Sequence, residues 1–323
     1  MQEPNVSETL KSSPSIKHLV ISGGGSFGFS AYTAIRESHQ ASLWNIDNIE
    51  TIFSTSAGAI IATVLACKYD WTTIDDFLLK RPWGAVFQIN PNCILSAFSN
   101  RGLFDKTNIE NVFAPLFGGK DIPLDITLQG FYEKTGIELH FFATEINGGQ
   151  STDVDFSHLT HPDWSLLEAV YCSCCIPGLF QPFIKDENCY VDGGVFLNYP
   201  LRPCIERVGK ENEHTILGFK RQVNQQGMTR TVNTETTLLD TVMIFVNKMM
   251  ERALSEEKLN QNVKEIPVDA IPFSITELLL SLNSEKERNR LFEIGVQSWK
   301  NSQLQFLKNT TIINEIQCIE PNK

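Results

Sequence analysis

Two successive segments fix what this chain can fold into. Residues 17–22 read as a short apolar strand, followed by the turn "SGGGSFG" and a helical pattern from Phe29 to about Gln40. Residues 49–54, "IETIFS", read as a second strand, and "SAGAIIATVLACKY" (56–69) as a buried helix directly after it. Strands that alternate with helices in this way predict a mainly parallel sheet with helices on both faces. Strands are also expected at 137–146, 151–157, 189–194 and 214–221. Helices are expected at 73–80, 105–117, 125–134, 163–175, 235–260 and 284–307. No repeat or linker interrupts the 323 residues, enough for one large core. The expected organisation is a polar tail over 1–15 and a single domain over 16–323.

The glycine turn is the first chemical clue. A glycine run after a strand exposes backbone N–H groups to something negative. A nucleotide P-loop requires a lysine after the last glycine, and Phe29 stands there. The spacing of Gly23, Gly25 and Gly28 fits a dinucleotide fingerprint. That fold needs an acid at the far end of the second strand, whereas Asp47 and Glu50 fall at its beginning. The third reading is an oxyanion hole, which requires a nucleophile nearby.

The second strand offers one. "STSAG" (54–58) has the strand–turn–helix context of a nucleophile elbow, with Ser56 at its centre and Gly58 small enough for close helix–strand approach. Ser56 also opens a helix, whose dipole favours negative charge. Both loops would lie at the carboxyl ends of neighbouring strands, where open α/β sheets place their ligands.

Composition narrows the partners. The formal net charge of −11 leaves no basic excess for nucleic acid. The polar N-terminus lacks the apolar core of a secretory signal, and "AGAIIATVLAC" is too short to cross a bilayer. The eight cysteines then read as reduced thiols, and an intracellular, soluble or peripheral protein is expected. Cys172 and Cys175 form a C-x-x-C, but no second pair is spaced to complete a zinc site; small-residue packing in a helix is the reading. No metal or cofactor is expected.

A serine nucleophile needs a base. His214 follows in the order of an α/β-hydrolase triad, yet it opens a strand. Asp192, in "YVDGGVFLNYP" (190–200), leaves a strand into Gly193 and Gly194 and is the better candidate, although Asp-Gly also suits an Asx turn.

Taken together, "GGGSFG", "STSAG" and "DGG" resemble the patatin-like phospholipases in order and spacing. "GLFDKTNIENVF" (102–113), "LHFFATEINGGQ" (139–150), "AVYCSCCIPGLFQPF" (169–183) and "YVDGGVFLNYPL" (190–201), with Asn198 and Pro200, are similar to further segments of that family. The likeness covers about 17–221; residues 222–323, read as helical, carry no motif of it. It implies a three-layer α/β/α fold, a phospholipid or other acyl-ester substrate, possible peripheral membrane contact, and hydrolysis by a Ser–Asp dyad through an acyl-enzyme. Carried over by position, Ser56 is the nucleophile and Asp192 the base. Gly23, Gly24, Gly25 and Gly28 form the oxyanion loop, with Ser54, Gly58, Gly193 and Gly194 supporting the turns. Two positions depart from the family. Ser54 replaces the usual first elbow glycine, and Phe27 stands where a basic residue is common. The competing expectation is a catalytically weak or silent lipid-binding or interaction protein on the same fold. Phe87, Phe98, Phe104, Phe113 and Phe117 are candidates for an acyl pocket or for the core.

Overall fold

In the computed structural model, which describes residues 15–223, 231–256 and 262–319, eight strands form one sheet. They are β1 (His18–Ile21), β2 (Thr51–Thr55), β3 (Glu138–Glu145), β4 (Thr152–Phe156), β5 (Phe183–Lys185), β6 (Asn188–Asp192), β7 (Ile216–Val223) and β8 (Lys264–Ala270). The order is β5-β6-β3-β2-β1-β7-β8, with β4 beside β3. Strands β3, β2, β1, β7 and β8 run parallel; β4 and β6 are antiparallel to β3, and β5 to β6. The mainly parallel sheet read from the sequence is therefore present.

Alternation along the strands explains the layering. Leu19, Ile21, Ile52, Leu139, Phe141, Leu217 and Phe219 point into the larger core, and Val20, Phe53, Phe142 and Ile216 into a smaller one on the opposite face. The larger core takes in residues of α1 (Phe27–Gln40), α2 (Ala57–Ala66), α3 (Trp71–Lys80) and α4 (Trp83–Val86), none of α5 (Pro91–Asn100), and residues of α6 (Lys106–Gly118), α7 (Leu128–Thr135) and α8 (Leu166–Cys174). The smaller core holds Leu201 and Cys204 of α9 (Leu201–Val208). Beyond β7 come α10 (Leu238–Glu256), α11 (Ile275–Asn283) and α12 (Glu285–Ile319).

Several expectations shift. The helix expected over 163–175 begins at Leu166, and the one expected from Phe29 begins at Phe27. The expected helix 235–260 is seen as α10; residues 257–260, like the tail up to residue 14, lie outside the described residues. The sequence reading missed β5, β8, α4, α5, α9 and α11. Among the described residues no helix is long and apolar enough to cross a membrane.

Candidate active site

The sheet brings Ser56 and Asp192 together through one edge of β3. Strand β2 pairs with β3 up to Thr55 opposite Phe142. Strand β6 arrives antiparallel and ends with Asp192 opposite Ala143. Because β4 occupies the other edge over residues 141–145, β2 and β6 must share this one. They meet head on at consecutive β3 residues, so the residue that leaves β2 and the residue that ends β6 converge.

Ser56 adopts φ 56° and ψ −127°, an unusual conformation for a side-chain-bearing residue. Such a backbone costs about 1–3 kcal/mol and persists only where neighbours over-determine it. Here they do. The Ser56 N–H donates to Ser173 Oγ (2.9 Å), and Ser173 donates in turn to Phe142 O (2.7 Å), the carbonyl at which β2 and β6 change over. The Cys174 thiol donates to Ser56 O at 3.1 Å. A Cβ at Gly58 would lie 2.7 Å from Ile21 O and 2.8 Å from Ser22 O, so only glycine lets α2 start this close to β1. Ser54 is buried inside β2 without positive φ, and its hydroxyl sits 3.4 Å from His140 O.

Asp192 is fully buried. Its N–H donates to Cys175 O at 3.0 Å, and its Oδ1 accepts the Gly194 N–H at 2.7 Å. Gly193 lies so close on the β3 backbone that a Cβ would collide with Phe142 O. Burial pushes the Asp192 carboxyl up to about 7, opposed by the Ser56 hydroxyl and then by the Gly194 N–H. Oδ2 closes no full hydrogen bond. The Ser56 contact is thus loose, as catalytic contacts in unliganded enzymes often are.

The four loop glycines divide into two pairs. The Gly23 N–H is committed to Asn198 O (3.0 Å), and the Gly28 N–H to Gly25 O (3.0 Å). Gly24 (φ 151°) and Gly25 (φ 61°) adopt backbones that favour glycine, and neither N–H donates to a protein acceptor among the described residues. A Cβ on Gly23 would stand 2.8 Å from Ser56 Cβ, which puts the loop directly against the serine. Asn198 ties the loop down twice, since its Nδ2 also donates to Gly23 O at 3.3 Å. Beneath the loop lies a cation that the sequence reading did not assign. Arg221 of β7 is buried, and its Cδ and Nε would lie 2.8 and 3.0 Å from a Cβ on Gly24. Phe27 carries no charge, so positive charge reaches this loop from β7 instead.

The histidines stand elsewhere. His214 is exposed in the turn before β7, at the opposite end of the sheet. His140 is buried between Asp155 (2.7 Å) and Glu138 (2.8 Å), which occupy both ring nitrogens. Cys172 and Cys175 are buried, and burial pushes both thiols up. Among the described residues no group of three or more His, Cys, Asp or Glu could hold a metal.

From Ser56 an apolar cavity of about 120 Å³ runs away from the sheet. Ile60, Trp83, Phe87 and Ile109 line it, and Leu278 and Leu282 of α11 close one wall; no charged side chain contributes. Of the five candidate phenylalanines, Phe87 lines it. Phe104, Phe113 and Phe117 are core residues, and Phe98 is 92% exposed. Missed from sequence were Ser173, Arg221 and the α11 leucines. Only Ser173 left a trace, as the one serine in "YCSCC".

A strained serine at a strand-to-helix turn, beside a glycine loop and a buried carboxyl, is held at the carboxyl end of a mainly parallel sheet. The chain belongs to the patatin-like phospholipase family, whose model matches residues 19–205. It is 30% identical over 199 residues to "Probable lipid hydrolase 463L" of Invertebrate iridescent virus 6, covering 61% of this chain and 66% of that protein. It is 23% identical to "Uncharacterized protein R571" of Acanthamoeba polyphaga mimivirus, covering 91% and 96%. The fold is similar to that of VipD from Legionella pneumophila (TM-score 0.51, 18% identity, 90% of this chain and 67% of that one). It is likewise similar to human GIVD cytosolic phospholipase A2 (TM-score 0.51, 11% identity, 94% and 62%).

Proposed function

We propose that this chain is a lipid acyl hydrolase in which Ser56 is the nucleophile and Asp192 the general base. The observation that carries the reading is that β2 and β6 bring a strained serine and a fully buried carboxyl together, with the serine in the wall of a cavity that has no charged lining. Asp192 Oδ2 takes the Ser56 proton as Oγ attacks the ester carbonyl. The oxyanion falls to the Gly24 and Gly25 N–H groups, aided by the Arg221 charge and by the N-termini of α1 and α2. Asp192 returns its proton to the departing alcohol, leaving an acyl-serine. A water then attacks the acyl carbonyl as Asp192 takes its proton; the acyl–Oγ bond breaks, Asp192 passes the proton to Ser56 Oγ, and the fatty acid leaves. The cavity suits an acyl chain, and the printed descriptions of the family and of the iridescent-virus relative support a lipid ester. The unstrained Ser54 favours a working elbow over a silent one.

A fluorophosphonate probe tests the serine whatever the head group. Wild type is expected to label and Ser56→Ala not. The base must be ionised to act, so its raised value sets the pH dependence. Labelling and kcat/KM are expected to reach a plateau above about pH 7 and to fall about tenfold per pH unit below it. A limb near pH 4 would mean that the carboxyl is not held as described.

Ser173 gives a second expectation. Ser173→Ala strands the buried Ser56 N–H and Phe142 O together. The expected cost is about 1–3 kcal/mol of stability. A drop of roughly 10–100-fold in kcat accompanies it, with KM little changed, because the serine is released from its position. Melting curves beside kcat and KM on a short-chain ester check this, and Ser173→Thr should recover most of the loss.

A further inference from the structure

Helix α5 is built inside out. A surface helix of a soluble protein buries its apolar stripe and exposes its polar one. Here the partly buried side carries the small residues Cys93, Ser96 and Ala97. Ile94, Leu95 and Phe98 share the opposite face and are 60%, 79% and 92% exposed. The helix does not owe its form to the core. Asn90 caps it by accepting the Cys93 N–H at 2.9 Å, Pro91 starts it, and Arg101 ends it in the left-handed region.

Its attachment is equally specific. The excursion leaves the body at Phe87 and rejoins it at Phe104, whose rings meet edge to face with centroids 5.3 Å apart. The N–H groups of Leu103 and Phe104 donate to Leu179 O at 2.9 and 3.0 Å. Phe87 and Phe180 both line the apolar cavity, so α5 hangs from the cavity wall. Charge marks the same stretch. A fifth of the chain is charged, yet Pro82 to Asn100 contains no charged residue, and arginines, Arg81 and Arg101, stand at its two ends. On a protein of net charge −11, this is a stretch free of carboxylates.

We propose that α5 is an interfacial anchor, inserting Ile94, Leu95 and Phe98 into a zwitterionic lipid surface and so setting the cavity against the bilayer. The proposal rests on the acyl-hydrolase reading for its purpose. Its physical content is separate: an uncharged apolar helix face, ended by Arg101, on a segment whose Phe87 lines the apolar cavity. A surface of lipid accepts all three side chains without requiring shape complementarity, and it is where a water-insoluble ester resides.

Co-sedimentation with phosphatidylcholine vesicles tests it, using Ser56→Ala protein so that no lipid is consumed. Adding Leu95→Ser and Phe98→Ser is expected to lower partitioning by about tenfold for each side chain removed from lipid. In the Ser56 background, hydrolysis of vesicle lipid should fall in parallel while turnover of a soluble short-chain ester stays unchanged. Two results would overturn the anchor. One is vesicle binding that is absent from the start or indifferent to both substitutions. The other is a concentration-dependent dimer that these substitutions dissolve, which would assign the face to a second copy. If no ester is turned over but the substitutions still abolish binding, the anchor stands and the hydrolase reading fails.

Discussion

Ser56→Ala and Asp192→Asn are each expected to lower kcat by about 10⁴–10⁶, to the level of what loop and cavity alone provide, and the double variant should be no worse than either single. Non-additivity is the informative part. In the proposed dyad the carboxyl moves the Ser56 proton, and β6 delivers that carboxyl, Asp192, to the end of β2. Removing either partner therefore removes the same step. His214→Ala is the contrast. That residue lies at the other end of the sheet, so its loss should change kcat/KM by less than about threefold. The measurement is kcat/KM on a short-chain ester for wild type and the four variants, with melting curves to show that each is folded. Asp192→Asn protein that keeps turnover within tenfold of wild type would remove Asp192 from the mechanism. A large loss in His214→Ala would require a different base altogether.

The parts of this site that were legible in sequence are those that depend on short-range chemistry. A strand running into "STSAG" needs Gly58 because Ile21 O and Ser22 O leave no room for a Cβ, and a strand ending in "DGG" needs Gly193 because Phe142 O leaves none. These demands are local, so spacing reveals them. What joins the two turns is not local. Ser173 holds Ser56 and Phe142, residues 117 and 31 positions away, through one hydroxyl, and no periodicity encodes that. Strand β8, "KEIPVDA", was hidden by Pro267 and its charged residues; it forms the outer edge of the sheet, where proline is tolerated. Helix α5 escaped because periodicity is read against a core, and its large apolar residues face away from one. The glycine loop was half legible. Its composition announces exposed N–H groups, but only the fold determines that Asn198 takes the Gly23 N–H while those of Gly24 and Gly25 have no protein acceptor among the described residues.

Asp192→Asn should also stabilise the protein at neutral and alkaline pH while destroying its activity. The sign follows from the proton. Burial raises the folded-state carboxyl to about 7 from its ordinary 3.8. Between those values the folded protein holds a proton that the unfolded chain has released, so stability falls as pH rises from about 4 to 7. Above about pH 7 the folded state carries a buried anion at a constant cost, on the order of 4 kcal/mol at 1.36 kcal/mol per pKa unit. Asparagine is neutral at every pH, keeps an oxygen to accept the Gly194 N–H, and escapes most of this cost. The advantage of the variant over wild type is therefore expected to grow by about 2–3 kcal/mol between pH 5 and pH 8, a shift of several degrees in relative Tm for a chain of this size. Urea titrations of both proteins at the two pH values measure it. A difference that is the same at pH 5 and pH 8 would mean that Asp192 is ionised as easily in the folded protein as in water. A carboxyl of that kind would be a weak base at neutral pH, and the case for proton transfer from Ser56 would go with it.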